Sequence, residues 1–486
     1  MKVRSVLHFA IQLALPLALT LTNLAAQSLP SKDSRPPSSR LMVSAAAGIE
    51  PTARLQTEGQ KMPDAPGMTL EQFQQIALAN NPTLAQANAG VRAAQGLTRQ
   101  AGLWPNPTVG YIGEEIRGGS FGGGQQGVFV QQNVILGGKL GLDRKIRAEE
   151  GKQAEAEVEE QKLRVENGVR VAFYESLAAQ QMVEIRKKLN HLAQDAVETT
   201  RQLFNVGQAD QPDVLQAQVE ADEADLAVIM SEQDQQRAWR VLAAVVGKPE
   251  LPLTTLAGNL EDLPEINSDQ MLQTILTNSP AVKIAQLGVA RAGFEVTRSR
   301  REVVPDISVR AGYVNNLEQL GSVPPKSVGS EGFAEVGVNL RLFNRNQGNI
   351  QAARADQERA TLGVERVSLV LRQIAAPILQ NYATSRAVAD RYKARTLPNA
   401  RQAYQLYLQK YHEGAAAYPQ VLIAQRTLFQ LETTYIATLE NAWINAATLQ
   451  GLLLTDGLDL PAAPGELDRP VREINLPVPE NPGGRP

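Results

Sequence analysis

Few side chains in this 486-residue sequence could do covalent or acid-base chemistry. The imidazoles are His8, His191 and His412, and there is no cysteine. Lack of Cys removes thiolate nucleophiles, disulfides, thiolate-bound metals, iron-sulfur clusters and a lipid-modified N-terminal Cys together. His191 falls in a long amphipathic stretch and His412 beside a glycine turn. No Ser-His-Asp grouping is readable around either, so we find no catalytic constellation and expect no enzyme. The glycines Gly118-Gly119 and Gly122-Gly123-Gly124 lack the Lys-Ser/Thr pair and following helix of a phosphate loop. The acidic run from Glu149 to Glu160, interspersed with Lys152 and Ala154, reads as a wet helix face with local pairing. We expect neither a cofactor nor a bound metal ion.

Composition points the same way. Lys+Arg 48 against Asp+Glu 51 leaves a net charge of -3, so no basic field would draw nucleic acid. Aromatic content of 5%, with abundant Ala, Gln and Glu, is nearer to a long-helix composition than to a compact enzyme core. Such a chain conducts or holds something rather than converting it. Lys2 and Arg4, an apolar stretch through Leu13 to Leu21, and the small residues Ala25 and Ala26 form a secretory signal peptide over 1–26. Residues 27–67 read as a flexible leader, and 456–486 as a Pro-rich tail. Seven prolines from Pro461 to Pro486 exclude any long helix there.

The elements between these ends come in two copies. Asn80-Asn81-Pro82 recurs as Asn278-Ser279-Pro280, and Trp104-Pro105-Asn106 as Val304-Pro305-Asp306, about 200 residues on. Val206-Gly207-Gln208 with Val214-Leu215-Gln216-Ala217 recurs as Glu413-Gly414-Ala415 with Val421-Leu422-Ile423-Ala424. A first repeat over 68–247 and a second over 268–455 are therefore expected, joined by a linker over 248–267. Each reads as short helix, medium helix, two strands, very long helix, tip and long helix. Thr69 with Gln72 makes a capping box, and Pro82 opens the next helix. Gly141 to Asn205 is proline-free, and Leu163, Val169, Phe173, Leu177, Ile185, Leu189 and Leu192 keep helical spacing. At 1.5 Å per residue that rod is roughly 97 Å long. The tip at 205–212 leads to a helix over 211–246. In the second repeat the long helix spans 350–411, the tip 412–419 and the last helix 418–455, with Pro377 and Pro398 expected to bend the rod.

Between the medium and long helices the period falls to two. Ile307, Val309, Ala311 and Tyr313 alternate with Asp306, Ser308, Arg310 and Gly312. Ala334, Val336, Val338, Leu340 and Leu342 alternate with Glu335, Gly337, Asn339 and Arg341. Weaker counterparts run from Pro107 to Ile112 and from Gly127 to Ile135, placing the strand pairs within 105–135 and 304–342. The loops inside the pairs are Arg117 to Gln126 and Asn315 to Glu331. Segments of this length with one apolar face can cross a bilayer as tilted strands. Four strands leave two open edges, which lipid does not tolerate, so several copies must share one barrel. The alternative is a periplasmic helical adaptor or scaffold, which would have no use for lipid-facing alternation.

The chain resembles the TolC-like outer-membrane factor family. The matching stretches are Thr69-Leu70-Glu71-Gln72 with Ala77-Leu78-Ala79-Asn80-Asn81-Pro82, Phe204-Asn205-Val206-Gly207 with Asp213-Val214-Leu215-Gln216-Ala217, and Leu397-Pro398 with Tyr411 and Gly414. Leu103-Trp104-Pro105-Asn106-Pro107 and Leu342-Phe343-Asn344-Arg345-Asn346-Gln347-Gly348-Asn349-Ile350 resemble the Czc-type heavy-metal branch. The resemblance implies a mainly α fold with a transmembrane β part. It also implies a homotrimer whose four strands per chain share a 12-stranded barrel in outer-membrane lipid, above a periplasmic helical tunnel. The implied partners are a membrane-fusion adaptor and an inner-membrane pump of the RND type, and the implied cargo is divalent cations. Tip and docking positions would be Phe204, Gly207, Pro212, Gly414 and Pro419. The family's acidic constriction falls on Gln420 and Ile423, neither of which is charged. Asp210 and Asp213 sit at the other tip, and Asp213 with Tyr411 matches an inter-helix link of the family, so the resemblance makes Asp210, Asp213, Tyr411, Gln420 and Ile423 candidates for a gate or latch. Gly207 and Gly414 as helix-ending residues, with Pro212 and Pro419 as first-turn residues, also have a purely structural explanation.

Overall fold

The computed structural model describes residues 67–115, 124–320 and 326–459. The expected signal peptide, nearly all of the expected leader, the Gly-rich stretch from Gly118 to Gly123, Pro324 and Pro325, and the tail from residue 460 lie outside them. The first repeat contains α1 (Leu70–Asn80), α2 (Pro82–Ala101), β1 (Thr108–Glu114), β2 (Gln125–Val134), α3 (Lys139–Asn205) and α4 (Gln211–Val245). The second contains α5 (Ser268–Asn278), α6 (Pro280–Arg301), β3 (Ile307–Leu320), β4 (Lys326–Val338), α7 (Gln347–Arg391), a π turn (Tyr392–Thr396), α8 (Leu397–His412) and α9 (Tyr418–Gln450).

Local chemistry sets these boundaries. At the start of α1 the Thr69 N–H donates to Gln72 Oε1 at 3.0 Å. Asn81 caps α2 by accepting from the Thr83 N–H at 3.0 Å, and Pro82 occupies the first turn, where its missing N–H is not needed. The 67 residues of α3 make a rod of about 100 Å. Both α2 and α4 lie along it, and α6 and α9 lie along α7 in the same way. Helix α3 also packs on α6 and α9, so the repeats share one helical body.

The central core sits where the repeats meet. Phe73 touches Phe173 and Trp239, each with ring centroids 5.9 Å apart, and Tyr174 stacks on Trp443 at 3.8 Å. Val165, Val169, Leu177, Leu242 and Leu439 fill in around them. The indole N–H of Trp239 donates to the Leu251 carbonyl at 2.9 Å and that of Trp443 to Leu260 at 2.8 Å. The inter-repeat linker is thereby tied to the last helix of each repeat, and each buried indole is satisfied.

Three expectations need correction. The chain is not a loop from Asn315 to Glu331: β3 continues to Leu320 and β4 starts at Lys326, with pairs Asn315↔Ser330 and Asn316↔Gly329 and an irregularity before Gln319↔Ser327. Polar residues enter the ladder because their backbone groups find partners there. At the other end, β4 stops at Val338 instead of reaching Leu342, and Arg341 leaves the sheet to bond Glu302. Finally, α7 passes through Pro377 without interruption, and the break falls at the π turn before Pro398. In that widened turn the Leu397 N–H reaches back to the Tyr392 carbonyl, which leaves Pro398 in the first turn of α8, free of any bonding duty.

Candidate functional site

The four strands form one antiparallel sheet in the order β1-β2-β3-β4. Cross-strand pairing assigns every side chain to a face. Val109, Val130, Ala311 and Ala334 form one row, and Tyr111, Val128 and Tyr313 the next. Val309 with Val336 and Ile307 with Val338 extend this apolar face toward the helices. Most of these residues are exposed. The opposite face carries Gln131, Asn133, Ser308, Arg310, Asn316, Glu331 and Glu335. On it, the Arg310 guanidinium lies 4.2 Å from the Phe129 ring centroid and 5.6 Å from that of Phe333, and 3.9 Å from Glu335. Gly110 and Gly312 leave room for the two rings, since a Cβ on either would fall 2.5 Å from ring carbons. Strands β1 and β4 each keep one unpaired edge.

The helical tips lie far along the rods from the sheet. Both repeats end their long helix identically. Gly207 has φ +73° and Gly414 φ +69°. The Gln208 N–H donates to Leu203 and the Ala415 N–H to Lys410, each at 2.8 Å, a pair of left-handed caps that only glycine forms without strain. Asp210 caps α4, and its N–H is met by Asp213 Oδ2 at 3.3 Å. Pro212 and Pro419 occupy first turns. Phe204, Gly207, Asp210, Pro212, Gly414, Pro419, Gln420 and Ile423 are all exposed. Gln420 and Ile423 border a shallow groove with Ala400, Ala403, Tyr407, Ala424 and Thr427.

Asp213 and Tyr411 are brought near each other but not joined. The Tyr411 hydroxyl is buried and makes no well-aligned hydrogen bond. Thr200 lies beside it, and its hydroxyl, which donates to the Ala196 carbonyl at 2.8 Å, keeps its lone pairs free to accept from Tyr411. Burial pushes the Tyr411 and Tyr418 hydroxyls above the usual phenol range. Tyr404, Tyr411 and Tyr418 stand in one buried cluster with Ala217, Val421 and Leu428. Tyr404 and Tyr411 are one heptad apart on α8, as Val421 and Leu428 are on α9, whereas Tyr418 joins them from across the Gly414 turn, a meeting that local spacing does not announce. Near the tips, a side-chain tie between repeats is made by Arg426 on α9, whose Nε lies 3.1 Å from both carboxylate oxygens of Glu220 on α4. No sequence spacing announces that pair.

Among the described residues, no group of three or more His, Cys, Asp or Glu side chains is placed to hold a metal, and no helix is long and apolar enough to cross a membrane. His191 bonds Asp195 one turn away at 2.9 Å, on the exposed side of α3.

The outer membrane efflux protein family profile matches residues 74–248 and 271–453, one segment per repeat. The chain belongs to this family. Among curated relatives, it is 27% identical over 394 residues to the cobalt-zinc-cadmium resistance protein CzcC of Cupriavidus metallidurans, covering 79% of this chain and 90% of that one. It is 28% identical over 419 residues to protein CyaE of Bordetella pertussis, covering 81% and 83%. Among solved structures, CusC superposes with a TM-score of 0.67 at 17% identity, over 82% of this chain and 96% of that one. The outer membrane protein VceC of Vibrio cholerae gives 0.62 at 20% identity, over 80% and 97%. The efflux-family fold therefore spans both repeats, sheet and helical body alike, and the likeness to a Czc-type protein extends over most of the chain.

Proposed function

We propose that the protein is the passive outer-membrane exit duct of a tripartite efflux system and not an enzyme. The observation that carries this reading is a four-stranded sheet with one apolar face and two open edges, mounted on helices about 100 Å long. An open edge in lipid leaves backbone groups unsatisfied, so three copies close a shared barrel of twelve strands with the apolar face outward. The helical bodies then form a periplasmic tunnel, and the exposed tips at Phe204, Gly207, Pro212, Gly414 and Pro419 meet a membrane-fusion adaptor beneath an inner-membrane pump of the RND type. Exposed apolar residues at coiled-coil spacing on α4, namely Leu215, Val219, Leu226 and Ile229, supply surface for contact between copies. The likeness to CzcC supports divalent cations as cargo, with ion choice left to the pump, since the described part of this chain offers no ligand cluster.

The test has two parts. Light scattering on the particle extracted from outer membranes, corrected for detergent, is expected to give the mass of three chains, and a detergent-independent monomer would reject the duct. Deleting the gene should lower tolerance to zinc, cobalt or cadmium, and unchanged tolerance to all three would remove the metal cargo while leaving the duct.

A further inference from the structure

The apolar face of the sheet is too short for the membrane assigned to it. From Ile307 to Tyr313 it spans about 20 Å along the strand and about 15 Å at the usual tilt of a barrel strand, whereas lipid-facing bands are about 25 Å tall. Toward the loops the next row is polar, with Gln126, Asn315 and Ser330 side by side. The shortfall is made up on the helix side. Just past the strand ends Leu103, Trp104, Leu340, Leu342 and Phe343 are exposed, Trp104 by 58% and Phe343 by 93%. The chain around both rings is fixed: the Pro105 carbonyl accepts from Gln132 Nε2 at 2.9 Å, and the Asn346 N–H donates to Asn344 Oδ1 at 3.1 Å. Tyr111 and Tyr313 close the other end of the apolar face, so aromatic rings stand at both of its borders, as they do at the two interfaces of a membrane barrel.

Beyond this border lies a band of unmatched positive charge. Arg99 is in the last turn of α2, Arg300 and Arg301 end α6, Arg144 lies near the start of α3 and Arg345 just before α7, and all five are exposed. They stand at one level because the chain ties their elements together. A Cβ on Gly102 would fall 3.0 Å from Arg144 Cδ, which sets Arg144 beside Leu103 and Trp104. Asn346 Nδ2 donates to the Ser299 carbonyl at 2.9 Å, which sets Arg345 beside the end of α6. The carboxylates nearby are taken by other cations: Asp143 by Arg298 at 2.7 Å, Asp306 by Lys139 at 3.0 Å, and Glu302 by Arg298 and Arg341. Among the described residues, none of the five arginines is in an ion pair, and Arg345 gives only its Nε to the Leu342 carbonyl. The helix dipole favours cations at the ends of α2 and α6, but it opposes them at the starts of α3 and α7. Those two starts have no acidic residue in the first turn and no side-chain cap, because each follows a left-handed residue, Gly138 or Asn346. Uncapped N–H groups and free arginines thus share one level in a chain whose net charge is -3, an arrangement that suits an anion outside the fold.

We propose that this girdle binds anionic phospholipid headgroups of the leaflet on the helix side. The five arginines take the phosphates, which a guanidinium can hold with two parallel bonds, while Trp104, Phe343 and the three leucines rest among the acyl chains next to them. This rests on the membrane reading above. Trp104 reports on the girdle directly, because the other two tryptophans, Trp239 and Trp443, are buried. In full-length protein reconstituted into phosphatidylcholine vesicles, brominated phosphatidylglycerol and brominated phosphatidylcholine are compared as quenchers at equal mole fraction. The anionic lipid is expected to quench about twofold or more strongly, since each arginine near a membrane surface favours it. The Arg300→Gln/Arg301→Gln/Arg345→Gln variant should lose that preference, and the corresponding triple Lys variant should keep most of it. The wild-type comparison stands whether or not the variants fold. Equal quenching of the wild type by both lipids, or a preference that survives in the Gln variant, overturns the arginine site and leaves the membrane reading standing. Absence of quenching by either lipid in a particle of three-chain mass means that protein covers Trp104, and it overturns the girdle alone. A particle that needs no detergent removes the membrane and the girdle together.

Discussion

The residue that most invites a role at the tips, Tyr411, carries a buried hydroxyl beside that of Thr200 but makes no well-aligned hydrogen bond. An unsatisfied buried donor costs on the order of 1–3 kcal/mol, so Tyr411→Phe should stabilise the protein by about 1 kcal/mol, read as a higher urea or thermal midpoint. A lower midpoint would mean that the hydroxyl is satisfied, by Thr200 or by a neighbouring copy. Asp213 differs, because its carboxylate serves the start of its own helix. Asp213→Ala should cost about 1 kcal/mol by loss of the cap. Unchanged single-channel conductance in that variant would separate the capping role from a latch. A pH effect belongs to another pair. Burial holds the Glu440 carboxyl above its ordinary 4.5, reinforced by the nearby Glu175, which burial also raises. A carboxyl whose folded pKa lies above its unfolded one keeps its proton better when folded, so its contribution is lost as pH rises through the range just above 4.5. Glu440→Gln should therefore raise the melting temperature more at pH 8 than at pH 5, and an equal shift at both would count against this assignment.

At the scale of elements, one substitution has opposite signs at different glycines. Gly207 and Gly414 have positive φ and open space around them, so Ala there meets only backbone strain, roughly 1 kcal/mol each. Gly141, inside α3 with equally open surroundings, should accept Ala with a gain of about 1 kcal/mol. Thermal midpoints of the three single variants check the contrast, and a loss at Gly141 would show that another surface presses on that face. These glycines also mark how far the sequence could be read. Caps and first-turn prolines are local, so Thr69 with Gln72, Pro82, Gly207 and Gly414 were legible from residues a few positions apart. Strand ends were not, because they depend on distant partners: Asn315 and Asn316 stay in the sheet through Ser330 and Gly329, and Arg341 leaves it for Glu302. Pro377 misled for a related reason, since flanking helical bonds and the buried Ala375 beside it keep α7 continuous across one missing N–H. Glu220 and Arg426 meet only because the fold brings the tip ends of α4 and α9 near each other, which no local pattern encodes.

For the whole molecule, the decisive issue is which side of the sheet meets lipid. Alternation along the strands named two faces in advance, and the register adds that Val309 and Val336 oppose each other on one while Ser308 and Gly337 do so on the other. If the apolar face is outermost in a shared barrel, Val336→Arg places a guanidinium in hydrocarbon at a cost of about 2–4 kcal/mol near the midplane and less toward the interface. Ser308→Arg, at neighbouring depth on the opposite face, would project into water beside Arg310 and should cost little beyond crowding and like-charge repulsion. The yield of heat-resistant oligomer in outer-membrane fractions reads this difference. The expected order is wild type close to Ser308→Arg and both well above Val336→Arg. A reversed order would turn the sheet inside out and put Arg310 with its two phenylalanines against lipid, where a guanidinium with one distant carboxylate could not be held. Equal yields would mean that neither face meets hydrocarbon, and the same long helices would then belong to a soluble scaffold. The argument depends on comparing faces at matched depth, because a single arginine variant that failed could fail for many reasons, whereas two variants one residue apart on the same strand pair differ chiefly in what lies outside them.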